Sequence, residues 1–140
     1  MFNNILLAVD GSDHSLNAAH TAAQLARTLN TGEFRIVVVY DSIPPFLGDP
    51  NMQSAINTRL DEAQKILREA QEAIGDIPSR IHTELVAGDP AESIIEVANV
   101  RKCDLIVMGS RGLGRLAGLV LGSTSQKVVS HAPCPVLIVR

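Results

Sequence analysis

Aliphatic and polar positions along this chain alternate between two kinds of segment. Short stretches rich in Val, Ile and Leu lie at 5–9, 35–40, 81–86, 104–108 and 136–139, and longer stretches with an apolar residue every three or four positions fall between them. Compact aliphatic runs predict strands covered on both faces, and the 3.6-residue spacing predicts helices with one buried stripe. The first helix is expected after Asp10 and Gly11, with Ser12 as N-cap, a stripe of Leu16, Ala19, Ala23, Ala26 and Leu29, and a stop at Asn30 to Gly32. The second has the most regular stripe: Met52, Ile56, Leu60, Ala63, Leu67, Ala70 and Ile74, with Asp61, Glu62, Lys65, Arg68, Glu69 and Glu72 facing water and Gly75 as terminator. Before it, 41–50 contains three prolines and a glycine and predicts a loop, with Phe46 and Met52 at its mouth as packing groups.

The third helix announces its own start. Asp89 is placed to cap it, Pro90 to occupy the first helical position and Glu92 to close a capping box, and Ile94, Ile95, Val97 and Ala98 then cover the sheet. A fourth helix is expected over 123–130, its capping box made by Ser123 and Gln126. Strands alternating with helices imply right-handed crossovers and a parallel sheet, hence a doubly wound, Rossmann-like α/β fold. A ligand of such a fold lies beyond the carboxyl ends of the strands, where neighbouring crossovers leave in opposite directions.

Size and composition narrow the function. The 140 residues predict a single domain over 1–140, able to bury roughly two-thirds of its unfolded surface without a staple. Aromatic residues are only 3% against 46% hydrophobic, so the core must be aliphatic, as parallel sheets require. A net charge of −3 argues against nucleic acid and against an acidic membrane surface as partners. Cys103 and Cys134 make neither a Cys-x-x-Cys pair nor a zinc set with histidine, and both are expected as buried thiols. The N-terminal apolar run lacks a basic lead and is too short for a signal peptide or a membrane span, which predicts a cytoplasmic protein.

The segment 109–123, GSRGLGRLAGLVLGS, carries the candidate chemistry. It leaves one strand and delivers the chain to a helix start, the layout of a phosphate cradle. Glycines at 109, 112 and 122 allow sharp turns and close approach of backbone to a ligand, and a helix N-terminus favours an anion. It is not a P-loop, because Ser123 follows Gly122 directly with no lysine between. Residues 112–117 come near the dinucleotide fingerprint, but 132–140 contain no acidic ribose ligand, which disfavours a dehydrogenase. Backbone N–H groups of Gly122, Ser123 and Thr124, with the two hydroxyls, are the expected phosphate ligands. Arg111 and Arg115 are either phosphate partners or solvated loop residues. Asp10 has two readings, a turn carboxylate, or a ligand for ribose hydroxyls or for a phosphate-bound magnesium ion. His131 reads as a structural or surface group. No nucleophile elbow, Ser/His/Asp order or His-Glu-x-x-His helix is present, so no catalytic residue is assigned.

Gly109, Gly112 and, nine residues on, Gly122 and Ser123 resemble the nucleotide signature of the universal stress protein family, in its ATP-binding branch. The resemblance extends to ILLAVDGS at 5–12, Gly88-Asp89-Pro90, and HAPCPVLIV at 131–139. It implies the strand order 3-2-1-4-5, which brings Asp10 and Gly109 to one crevice between strands one and four. It also implies an adenine site with Ala8, Val9 and Met108 as walls and backbone groups of Val39 and Tyr40 on the base edge. By the same resemblance the chain is expected to be an ATP-binding regulator of cytoplasmic stress response, with magnesium, and with at most slow hydrolysis or autophosphorylation. The alternative is a nucleotide-independent interaction module, a homodimer paired through 136–139.

Overall fold

A computed structural model describes residues 1–42, 51–112 and 121–140. The expected loop from 43 with Phe46, and the loop centre 113–120 with Arg115, lie outside the described residues. In chain order the elements are β1 Asn4–Val9, α1 Asp13–Leu29, β2 Glu33–Tyr40, α2 Met52–Ile74, β3 Arg80–Ala87, α3 Pro90–Val100, β4 Leu105–Gly109, α4 Ser123–His131 and β5 Val136–Val139. The strands form one sheet in the order β3-β2-β1-β4-β5, and every neighbouring pair is parallel. This is the doubly wound architecture expected from the alternation of elements.

The pleat divides the core in two. On one face Ile5, Leu7 and Val9 of β1, Phe34, Ile36 and Val38 of β2, and Leu105 and Val107 of β4 pack beneath α1 and α2. On the other, Leu6, Ala8, Val37, Ile106 and Met108 pack beneath Ile94, Val97 and Ala98 of α3 and Val128 of α4. Because β1 and β4 are neighbours whose following helices lie on opposite faces, a cleft opens between them at their carboxyl ends.

Local chemistry sets the element boundaries. Ser12 caps α1 as expected, its hydroxyl accepting the Ser15 N–H at 3.2 Å. The buried stripe of α1 is alanine rather than leucine: Ala18, Ala19, Ala22, Ala23 and Ala26 face the sheet, while Leu29 is 39% exposed. Small side chains let this helix lie close over the sheet, and leucines fit only at its margins. It stops at Asn30, which adopts the left-handed conformation at φ 51°. In α2 only Ala63, Ala70 and Ile74 are buried, and Met52, Ile56 and Leu60 of its first turns are half-buried. At about 1.5 Å per residue this 23-residue helix outruns an eight-residue strand, so its start has less sheet to cover.

β2 begins two residues earlier than its aliphatic run, at Glu33, which pairs with Asn4 and whose carboxylate meets His82 of β3 at 2.6 Å. β4 begins one residue later than expected because Asp104 turns its carboxylate to the chain start, accepting the N–H groups of Asn3 and Asn4. Asp89 caps α3 by accepting the Glu92 N–H at 2.9 Å. The capping box expected at Ser123 does not form. Gly122 is the N-cap, and the Gln126 amide donates to the Leu121 carbonyl instead.

Two predictions arise from this frame. Arg27 of α1 donates to the Ile74 and Asp76 carbonyls, so it satisfies the end of α2 from the neighbouring helix. Arg27→Ala is expected to lower stability by about 1 kcal/mol in denaturant titration, through loss of charge-assisted bonds. Cys103 is buried and Cys134 only partly so, which corrects the expectation of two buried thiols. Burial pushes the Cys103 thiol up to about 11. Alkylation of the native protein near pH 8 is expected to mark Cys134 well before Cys103, read by peptide mass.

Candidate functional site

A cavity of about 270 Å3 lies in the cleft. β1 contributes Ala8 and Val9 and its last turn Asp10, β2 contributes Val37 and Val39, and β4 contributes Met108 and Gly109. Arg111 and Gly112 follow β4 into the cavity wall, and Gly122, Ser123 and Thr124 complete it at the start of α4. Residues a hundred positions apart in sequence therefore meet at one place, because β1 and β4 are paired in register, Ala8 opposite Met108.

The cavity has two chemically distinct sides. Toward β2 and α3 its lining is Val37, Val39, Pro90 and Ile94, an aliphatic surface suited to the face of a flat ring. Toward β4 and α4 it is Arg111, Gly112, Ser123 and Thr124. The backbone N–H groups of Ser123 and Thr124, in the first turn of α4, have no partner among the described residues. The Arg111 Nε is buried with no hydrogen-bond partner among the described residues. Unpaired donors at a helix N-terminus beside an unpaired guanidinium nitrogen form an environment that favours an anion.

Each glycine of the loop has its own physical reason. A Cβ on Gly109 would stand 2.8 Å from the His14 carbonyl carbon and 2.9 Å from the Ser15 nitrogen, so this residue lets β4 pass beneath the start of α1. A Cβ on Gly112 would stand 2.6 Å from Asp10 Oδ2, so the loop lies directly against the carboxylate. At Gly122 a Cβ would meet only ordinary contacts, the nearest being Arg111 Cα at 3.4 Å, and φ is −73°. Packing among the described residues therefore does not demand glycine at 122.

Asp10 is half-committed. Its Oδ1 accepts the Ser12 N–H at 2.9 Å, the turn role expected of it, and the residue also lines the cavity. The Gly122 N–H, expected to face a ligand, instead donates to the Ser110 carbonyl at 2.7 Å and closes the base of the loop. Tyr40 does not line the cavity: it packs on the α1 and α2 face, and its carbonyl accepts the Gly88 N–H at 3.0 Å. Period-two alternation puts Val39 and Tyr40 on opposite faces, so only Val39 can turn its side chain to the cleft.

Several lining residues were not anticipated. Pro90 and Ile94, which start α3 and cover the sheet, also roof the aliphatic side, because α3 starts at the level where β2 ends. Ser12 and Ser15 line the turn beside Asp10. Ser125 lies at the polar side with its hydroxyl bonded to the Gly109 and Ser110 carbonyls at 2.9 and 3.1 Å, which pins α4 to the end of β4. His131 is exposed on the last turn of α4, away from this wall.

Comparison with known proteins agrees with this architecture. The model of the universal stress protein family matches residues 1–140. A universal stress protein from Thermus aquaticus, encoded in the QAH/OAS sulfhydrylase 3' region, is 47% identical over 140 residues covering all of both chains. Among solved structures, the universal stress protein UspA from Lactobacillus plantarum superposes with a TM-score of 0.87 at 28% identity, over 99% of this chain and 98% of that one. A universal stress protein crystallised in complex with cAMP superposes with a TM-score of 0.71 at 27% identity, over 99% of this chain and 97% of that one. By sequence over its whole length and by fold, the chain belongs to the universal stress protein family.

Proposed function

We propose that this chain binds an adenine nucleotide, ATP with magnesium, in the cleft between β1 and β4, and works as a nucleotide-responsive regulator in cytoplasmic stress response. The observation that carries the reading is the pairing of an aliphatic wall with unpartnered donors across one cavity, Val37, Val39 and Ile94 facing Arg111 and the Ser123 and Thr124 amides. A relative of similar fold holds a cyclic adenine nucleotide, which agrees with that chemistry. Ala8, Val9, Val39 and Met108 would hold the base, Asp10 the ribose hydroxyls or the magnesium ion, and Arg111, Gly112, Ser123 and Thr124 the phosphates, with Gly122 leaving room for their approach. Among the described residues no cluster of three or more His, Cys, Asp or Glu side chains could hold a metal alone. In this reading magnesium arrives with the phosphates, and Asp10 is the carboxylate that lines the cavity.

Binding would order the segment after Gly112 and change the surface that a partner meets, as ligand-ordered loops do in other switches. Hydrolysis or autophosphorylation is at most slow in this reading, since the site is built from positioning donors. Among the described residues no helix is long and apolar enough to cross a membrane. The reading is tested by amide spectra of the 15N-labelled protein. ATP with magnesium is expected to shift the Ser123 and Thr124 resonances, and their indifference to ATP would sink it.

A second reading rests on β5. Among the described residues this strand is the edge of the sheet, paired only with β4, and all four of its residues are partly exposed. We propose that a second copy pairs along Val136–Val139 to give a homodimer, which can act with no nucleotide bound. Sedimentation of the protein with Ile138→Lys is expected to show a monomer where the unaltered chain is a dimer, and an unaltered chain that sediments as a monomer would remove this reading.

A further inference from the structure

We infer that His14 is a positioning residue for the phosphate end of the cavity, acting through Ser110; the inference rests on the nucleotide reading given above. Ser110 is 1% exposed and is the junction at which β4 becomes the loop. Its N–H donates to the Val139 carbonyl at 2.7 Å, joining the loop base to the last residue of β5. Its carbonyl accepts the Gly122 N–H at 2.7 Å and the Ser125 hydroxyl at 3.1 Å, joining it to the start of α4. These bonds fix where the chain leaves the sheet before Arg111 and where it returns before Ser123. The remaining group is the side chain, and His14 Nδ1 holds the Ser110 hydroxyl oxygen at 2.7 Å.

His14 comes from the first turn of α1, on the opposite face of the sheet from α4. It follows the Asp10 turn directly, and its backbone lies where a Cβ on Gly109 would be, so the two segments touch. The His14 bond therefore braces the turn that holds Asp10 against the loop base that holds Arg111. A second, longer bond runs the same way, from the Ser12 hydroxyl to the Arg111 carbonyl at 3.4 Å. His14 itself is not among the residues lining the cavity. Its effect on a ligand must pass through the placement of Ser110, and with it of the donors at the polar side. Among the described residues the aliphatic side, built on β2 and α3, has no bond to this brace.

The consequence is selective. Removing the ring takes away the side-chain bond of Ser110 while its backbone bonds stay, so a phosphate must order the loop base further as it binds, whereas a base and ribose meet an unchanged aliphatic wall and an Asp10 turn still held by its bond from the Ser12 N–H. His14→Ala is expected to weaken ATP by about five- to tenfold, the equivalent of one buried side-chain hydrogen bond, with adenosine unaffected. His14→Asn, whose side-chain amide can stand where Nδ1 stood, is expected to restore most of the loss. Calorimetric titration of the three proteins with magnesium ATP and with adenosine reads the ratio of the two affinities, which a general loss of stability would not move. An unchanged ratio in His14→Ala, or an asparagine variant no better than alanine, overturns the inference alone. A wild-type chain that binds neither ligand overturns the nucleotide reading and this inference with it.

Discussion

Gly122→Val is expected to abolish most of the ATP affinity while leaving the fold intact. The backbone at 122 is extended, with φ −73° and ψ 166°, a conformation that valine favours. Its Cβ would meet Arg111 Cα at 3.4 Å and the Ser110 carbonyl oxygen at 3.6 Å, which are ordinary contacts. Among the described residues nothing therefore resists a Cβ at this position. The ligand would, because Gly122 lines the polar side of the cavity immediately before the unpartnered amides of Ser123 and Thr124. A branched side chain there keeps phosphate oxygens away from both N–H groups, and losing two charge-assisted bonds costs about 3 kcal/mol or more, about a hundredfold in affinity. The check is a paired measurement of melting temperature and ATP affinity. A melting temperature close to the wild type with ATP binding undiminished would take the loop out of the account.

Gly109→Ala should do the reverse, lowering stability before it touches ligand chemistry. The added methyl would stand 2.8 to 2.9 Å from the backbone of His14 and Ser15, and these atoms belong to the capped first turn of α1. They cannot rotate away as a side chain tip can. Either α1 lifts from β4 or β4 bends, and overpacking of this kind costs about 2–3 kcal/mol, which lowers the melting temperature by about 10 °C for a domain of this size. Thermal unfolding followed by circular dichroism reads it directly, and a melting temperature unchanged by the methyl would mean that β4 and α1 are not in the contact described. Together the two variants separate a glycine kept for packing from one that packing does not require.

The sequence foreshadows a good deal of this, for identifiable reasons. The aliphatic runs of β1 and β4 are legible because both faces of a central parallel strand are covered, so every position selects an apolar residue. Ser12, Asp89 and Gly75 mark helix ends because capping chemistry is local. The order of the strands is not local and entered only through the family resemblance. The convergence of Asp10 with Gly109 and Gly112 follows once that order is given, since parallel pairing carries both strand ends to the same edge.

What the sequence obscured lies in side-chain direction and in competition for hydrogen bonds. Val39 and Tyr40 are expected to offer backbone groups together, but the Gly88 N–H takes the Tyr40 carbonyl and the pleat sends the Tyr40 side chain to the other face, so Val39 lines the cavity and Tyr40 does not. The Gly122 N–H looks like a free donor in the motif, yet the Ser110 carbonyl takes it. Ser123 has the composition of a cap, but the chain enters α4 one residue earlier and leaves its N–H unspent. Pro90 and Ile94 carry no sign of a cavity, because their place in it depends on α3 beginning beside the end of β2.

The measurement that bears most directly on the central claim is calorimetric titration of the nucleotide-stripped protein with magnesium ATP, with AMP and NADH as comparison ligands. Micromolar ATP binding that weakens sharply as phosphates are removed is the expected result, since the unpartnered donors lie on the β4 and α4 side of the cavity. Absence of binding to all three, or equal affinity for ATP and AMP, would contradict a phosphate cradle at Arg111, Ser123 and Thr124.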